Sequence, residues 1–243
     1  MDNAVTNFIR SMPLVTRFLF VGCGLTTLLV NFGLIPFASI YFSPSLIFKS
    51  FEIWRLVTPF LFMGKLGLDF LFLLYFLYKY STMLETGTFI NRQADYFYLV
   101  LVNSILLLVF GLVIPSFIFM TKGLIMSIMY IWSRYYPEMD VTFFFGMKFK
   151  SIYLPWVFMG FNILMGGLPI MEFCGVICGH VYYYISEIYP EAYRKPNYLA
   201  TPSFIKGLFN QPDQVVAAGG VRGGAQPPQR AQGHQWGGGN RLG

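Results

Sequence analysis

In a chain of 243 residues only 12% are charged, against about 25% in an ordinary soluble domain, while 56% are hydrophobic and 19% aromatic. Together with a mean hydropathy of +0.57 this excludes a domain that faces water on every side. The net charge of +6 fits basic residues gathered on one side of a membrane better than a nucleic-acid surface, so no nucleic-acid partner is expected.

The chain opens MDNAVTNFIRSMPLVTRFLF, without the short basic start and small-residue cleavage site of a signal peptide. Val5, Phe8, Ile9 and Met12 fall at i, i+3, i+4 and i+7, which predicts a short amphipathic helix lying in the interface within residues 1–17. Six apolar runs follow, each reading as a transmembrane helix: residues 18–37, 68–83, 96–113, 117–132, 152–168 and 171–188. Between the first two, residues 39–67 are aromatic but broken by Pro44, Pro59, Lys49, Arg55 and Lys65. That stretch predicts a loop partly embedded in the membrane. The fold expected is therefore all-α, a six-helix membrane domain over 18–190, with a juxtamembrane segment at 191–210. Residues 211–243 are rich in Gly, Pro and Gln without a periodic apolar face, which predicts a disordered tail.

Six spans put both termini on one side. Arg10, Arg17, Lys79, Arg92, Arg134, Lys148, Lys150 and six basic residues after the last span share that side, against Lys49, Arg55, Lys65 and Lys122 opposite. The asymmetry places both termini in the cytosol. Spans of about eighteen residues measure roughly 27 Å, close to the thickness of about 27 Å given for the endoplasmic reticulum bilayer.

Few side chains invite chemistry. Cys23, Cys174 and Cys178 all sit in apolar runs, and an odd number there argues against a disulfide framework. Cys174 and Cys178 are one helical turn apart, but no His or carboxylate spacing completes a metal site, so no metal or other cofactor is expected. In SFEIWRLVTPF, Trp54 can sit at headgroup depth while Arg55 bonds lipid phosphates or backbone carbonyls. In GVICGHVYYY, Gly175 and Gly179 form a G-x-x-x-G pair, two bare spots on one helix face where a neighbouring backbone comes close. Asn103, Asn162 and His180 lie within spans and are expected to bond across helices, since lipid offers no partner. Asp69 and Glu172 lie near helix ends on the luminal side, where a carboxylate costs little.

A six-helix membrane protein with a His in its last helix raises the alternative of an intramembrane serine protease of the rhomboid type, which needs a Ser activated by that His. Rhomboids present the Ser as G-x-S-G at the start of the fourth helix, and this chain has no G-x-S-G. Ser127 is mid-helix without flanking glycines, and His180 follows the G-x-x-x-G rather than preceding it. A small-molecule transporter, the other alternative, would show internal repeats, and none is evident.

Taken in order, WRLVTPF, YKYSTMLETGTF, ADYFYLVLVN, FKSIYLPWVFMGFN and GVICGHVYYY resemble the Derlin family over about residues 18–209. Derlins are rhomboid pseudoproteases of the endoplasmic reticulum. The resemblance implies a six-helix rhomboid-like bundle without catalytic residues, working in endoplasmic-reticulum-associated degradation. It implies a laterally gated groove or channel in a perturbed bilayer through which misfolded proteins return to the cytosol. The partners it implies are those substrates, a membrane ubiquitin-ligase complex, the lipid bilayer itself, and further copies of the same or related chains.

The terminal WGGGNRLG is similar to the SHP box of Derlin tails, which binds the AAA+ ATPase called valosin-containing protein. Its pattern of aromatic, Gly, any residue, Gly and a Leu three residues later maps onto Trp236, Gly237, Gly239 and Leu242. Trp236 and Leu242 can each fill an apolar pocket while the glycines let an extended backbone lie on a sheet edge. Ordering a free peptide costs several kcal/mol, so affinity of roughly micromolar strength, about −8 kcal/mol, is expected.

Overall fold

The computed structural model of the chain describes residues 4–142, 146–164 and 166–209. All belong to one unit, Met1–Asp213. The expected disordered tail at 211–243, with Trp236, Gly237, Gly239 and Leu242, lies outside the described residues.

Each of the six apolar runs forms a helix. In chain order the α-helices among the described residues are α1 (Ala4–Ser11), α2 (Leu14–Asn31), α3 (Pro44–Ser50), α4 (Leu68–Met83), α5 (Gln93–Val113), α6 (Thr121–Tyr135), α7 (Leu154–Leu164), α8 (Ile170–Tyr183), α9 (Tyr189–Tyr193) and α10 (Ser203–Leu208). α2 and α5 are long and apolar enough to cross a membrane. The expectation of an all-α chain needs one correction. Between α6 and α7, β1 (Asp140–Thr142) pairs antiparallel with β2 (Lys148–Lys150), Val141 facing Phe149 across the ribbon. Val141 is buried while its neighbours on β1 are exposed, the period-two alternation of a half-buried strand.

Local chemistry explains where helix bounds depart from the apolar runs. α2 covers 14–31 rather than 18–37. Pro13 lacks an N–H and sits just outside the first turn, where none is needed, and its carbonyl accepts the N–H of Arg17 at 2.8 Å. α2 ends at Asn31, whose Nδ2 donates to the carbonyls of Thr27 and Gly64, and Gly33 then turns the chain at φ +74°. α6 starts at Thr121 rather than 117, because the preceding backbone is used elsewhere. Phe42 N–H donates to Ile118 O and Met120 N–H to Pro59 O, both at 2.9 Å. α7 stops at Leu164 instead of running to 168, ahead of Gly166 at φ +81°. α8 continues through a π-turn, Tyr184–Ile188, into α9.

α6 is the axis of the bundle. It packs against α4, α5, α7 and α8, and its residues from Leu124 to Ser133 are all buried. A helix apolar on every side is stable only when surrounded in this way. The N-terminal segment is tied down as well. Phe8 meets the rings of Phe20 and Tyr78, Met12 is buried, and Arg17 Nη2 donates to the carbonyls of Arg10 and Met12, neutralising the end of α1.

The first turn of α2 is held by a buried carboxylate. Glu85, in the π-turn Leu84–Thr88 that ends α4, is only 3% exposed. Its Oε1 accepts the N–H of Val15 at 3.0 Å, and its Oε2 accepts the N–H and the hydroxyl of Thr16, each at 2.8 Å. The Thr16 hydroxyl is 2.7 Å from that of Ser81, which lies 2.6 Å from Tyr96 Oη. One carboxylate thus satisfies two orphan donors of α2, sits at the positive end of its dipole, and links α2, α4 and α5.

Replacing Glu85 with Ala leaves two buried N–H groups without acceptors. Glu85→Ala is expected to lower stability by on the order of 3 kcal/mol, with Glu85→Gln falling between it and the native chain. Reversible unfolding in mixed micelles reads this, and a Glu85→Ala protein as stable as the parent would refute the capping role.

Candidate functional site

The loop from 36 to 62 carries the densest set of side-chain to main-chain bonds among the described residues. Short 3-10 turns at Phe37–Ser39, Ile53–Leu56 and Thr58–Phe60 leave many carbonyls without helical partners. Four successive carbonyls are filled from one short sequence stretch. Arg55 Nη2 donates to Ala38 O at 3.0 Å, Trp54 Nε1 to Ser39 O at 3.2 Å, Thr58 Oγ1 to Ile40 O at 2.9 Å, and Arg55 Nη1 to Tyr41 O at 2.8 Å. Arg55 Nε pairs with Glu52 at 2.6 Å, and the guanidinium lies 4.7 Å from the centre of the Tyr41 ring. Arg55 is 4% exposed, so of the two roles open to it in the sequence, lipid phosphate or backbone carbonyl, the structure selects the carbonyl. Trp54 is 53% exposed, its ring outside and its N–H turned in.

The far end of the loop is held by α6. Thr121 Oγ1 donates to Phe62 O at 2.7 Å and Pro59 O at 3.1 Å. Around this frame the outward side chains Phe48, Phe51, Ile53, Trp54 and Val57 are all exposed. The loop therefore presents an apolar surface over a backbone whose carbonyls at 38–41 are bonded from within.

Gly175 and Gly179 press α8 onto α6. A Cβ on Gly175 would overlap the carbonyl oxygen of Gly123 and stand 2.9 Å from its Cα. A Cβ on Gly179 would lie 3.0 Å from Ser127 O and 3.1 Å from Tyr130 Cδ1. Gly123 and Ser127 thus form the opposing pair of small residues on α6. The sequence reading passed over Gly123, although its spacing to Ser127 is the same four residues that drew attention to α8.

The polar residues expected within spans divide. Asn162 Nδ2 donates to Glu172 Oε1 at 2.6 Å, joining α7 to α8 as expected. Glu172, expected at an inexpensive helix end, is instead buried and depends on that bond. Asn103 departs from expectation. It is fully buried, but its Nδ2 donates to Leu99 O in its own helix at 2.9 Å, and its Oδ1 finds no partner among the described residues. An Asn pointing back along its helix can reach the i−4 carbonyl more readily than a neighbouring helix. His180 Nδ1 shares a hydrogen bond of 2.7 Å with Tyr130 Oη across α8 and α6. Ser127 Oγ donates to Leu124 O at 2.8 Å. Neither His180 nor Ser127 is bonded to the other. Asp69 pairs with Lys122 at 2.9 Å. The three cysteines are free and buried, and among the described residues no three His, Cys, Asp or Glu side chains gather around a metal-sized space.

An apolar groove of about 400 Å³ runs beside α4, lined by Leu71, Phe72, Tyr75, Phe76, Lys79, Tyr80 and Thr142. Lys79 closes one end, its ammonium 5.7 Å from the Tyr75 ring centre and 5.5 Å from that of Tyr80. Across from it, α7 touches α4 through the edge-on pair Phe76–Phe158 at 5.3 Å.

The Der1-like family matches residues 12–203. The chain is 39% identical to Derlin-1 of Homo sapiens over 252 residues, an alignment covering 98% of each protein. It is 38% identical to Derlin-2.2 of Zea mays over 228 residues, covering 89% of this chain and 91% of that one. Derlin-2.2 of Arabidopsis thaliana is 36% identical over 228 residues.

Two outcomes follow from these contacts. Gly175→Ala is expected to cost about 3 kcal/mol and Gly179→Ala about 1, because the first Cβ overlaps the backbone of Gly123 while the second stands 3.0 Å from Ser127 O, a contact that a small shift relieves; equal unfolding curves for the two variants would contradict the packing described. Arg55→Lys is expected not to rescue the loop, since one ammonium cannot reproduce the planar fork that reaches two carbonyls and a carboxylate. Amide exchange over residues 36–62 should rise as much in Arg55→Lys as in Arg55→Ala, and parent-like protection in the Lys variant would overturn the assignment.

Proposed function

The chain belongs to the Der1-like family of membrane proteins, and we propose that it is a non-catalytic component of endoplasmic-reticulum-associated degradation that helps misfolded proteins pass from the lumen to the cytosol. Likeness to Derlins along almost its entire length is the observation that carries this reading. On it, α2, α4, α5, α6, α7 and α8 cross the endoplasmic reticulum membrane as a rhomboid-like bundle with both termini in the cytosol.

The physical task is to lower the cost of moving polar chain through lipid, where one charged side chain at mid-bilayer costs at least about 2.5–3.5 kcal/mol. Two features support a perturbed bilayer with a lateral opening. α6 and α7 have 15 and 11 residues, roughly 22 and 16 Å, short of a bilayer of about 27 Å. The groove beside α4 is apolar along its length and ends at Lys79, a surface on which an apolar stretch of substrate can lie beside the bundle. Against proteolysis stand the separate bonds of Ser127 to Leu124 and of His180 to Tyr130, which leave Ser127 without His180 as its base.

Force comes from outside. Trp236, Gly237, Gly239 and Leu242 recruit an AAA+ ATPase, valosin-containing protein, and a membrane ubiquitin ligase marks what is extracted. Trp54 and Arg55 hold the luminal loop in shape, and Gly175 and Gly179 keep α8 against α6.

Extraction of the full-length protein in mild detergent should bring the ATPase with it, and Trp236→Ala and Leu242→Ala should each abolish that retention. Gly175→Val, or Trp54→Ala with Arg55→Ala, should lengthen the half-life of a misfolded membrane substrate at normal expression. An unchanged half-life in both, with the ATPase still bound, would remove the bundle from the mechanism.

A further inference from the structure

Past α8 and α9 the chain does not leave the bundle. Tyr189 stacks near Tyr193 and Tyr198 at ring distances of 4.9 and 5.8 Å, and Lys195 Nζ lies 5.8 Å from the Tyr189 ring centre. Leu199 packs against the core, and α10 then docks on α5, with Ile205 3% exposed and the Phe209 ring 5.4 Å from that of Phe97.

α10 has three sides. Successive residues of a helix turn by about 100°. Ile205 and Phe209 therefore share the side that meets α5. Phe204 and Leu208, also four apart, share the side next to it and are 78% and 75% exposed. Lys206 projects from the side opposite Phe204 and Leu208. A helix with one side on the protein, a second apolar and bare, and a third bearing a cation fits the angle between a membrane bundle and the lipid surface. Its depth is set by its partner. α5 is long and apolar enough to span, with Leu101, Ile105, Val109 and Leu112 exposed along it, and Phe97 lies near the start of α5. Contact with Phe97 puts α10 where the span enters the headgroup layer, with Phe204 and Leu208 exposed there.

The geometry points to α10 as an interfacial anchor whose Phe204 and Leu208 insert into the lipid headgroup layer on the side of the chain termini. This rests on α5 spanning the bilayer, as the proposed function requires. Its consequence is mechanical. A pull applied to the chain beyond residue 209 would be taken up on α5.

The test places p-benzoylphenylalanine singly at 204, 206, 208 and 105 in the full-length protein, reconstituted in nanodiscs of phosphatidylcholine with phosphatidylserine. After illumination, intact mass reads lipid adducts. Positions 204 and 208 should form adducts several-fold more than 206, at a level near that of 105. Adducts at 105 with none at 204 and 208 would overturn the anchor while leaving the span in place. Protein–protein crosslinks at 204 and 208 would overturn it in favour of a second copy on that face. Loss of adducts at 105 as well would overturn the spanning reading on which the anchor rests.

Discussion

A main-chain carbonyl inside a bilayer has no water to turn to, and each one left without a donor costs several kcal/mol. Helices meet that requirement internally, but the segment between α2 and α4 is too interrupted by proline and charge to be helical throughout. Its solution is to supply donors from its own side chains. Ala38, Ser39, Ile40 and Tyr41 each hand a carbonyl to Arg55, Trp54 or Thr58, and the exit of the loop is bonded to Thr121 at the start of α6. With the polar backbone closed off in this way, the outer surface is free to be aromatic and aliphatic. An apolar outer surface and a buried Arg are thus two sides of one arrangement. Without Arg55 the carbonyls of Ala38 and Tyr41 would lose their donors.

The same economy recurs at the other end of the bundle. Glu85 replaces the missing N-terminal partners of α2, and its hydroxyl neighbours Thr16, Ser81 and Tyr96 carry the network into α4 and α5. Between these two polar fastenings the helices hold together by contact of surfaces. Glycines let α8 approach the backbone of α6 at Gly123 and Ser127, so close packing substitutes for the hydrophobic drive that lipid does not provide. The stiff centre so formed contrasts with the flank of α4, where a groove lined by Leu71, Tyr75 and Phe76 ends at Lys79. On the proposed function, a fixed centre and an open flank serve a protein that offers polypeptide a way past lipid.

Much of this was legible beforehand. The six apolar runs became six helices because apolar length needs no tertiary information to be recognised. The second run, 68–83, coincided with α4, since Gly67 precedes it and the break after Met83 is local. The first and fourth runs shifted by several residues, because Glu85 and the Pro59 carbonyl, both distant in sequence, fix where those helices begin. Gly175 and Gly179 announced a close approach, yet only Gly123 across from them reveals what is approached. Asn162 was rightly expected to cross to a neighbouring helix, whereas Asn103 turned back on its own, a choice set by which carbonyl lies nearest in the packed state.

Composition, spacing and charge by themselves determined that the chain is a helical membrane protein and which short stretches resemble the Derlins, and they set the expectation for the side of its termini. Each follows from local quantities: apolar length, the period of a helix and the sign of nearby charge. The folded structure alone decided that Arg55 serves carbonyls instead of lipid, that Glu85 is buried at a helix start, that Ser127 and His180 have separate partners, and that the segment after α8 returns to lie on α5. Those outcomes depend on which atoms meet across tens of residues, and no local pattern encodes a hydrogen bond between positions 16 and 85 or a glycine at 123 lying under one at 175.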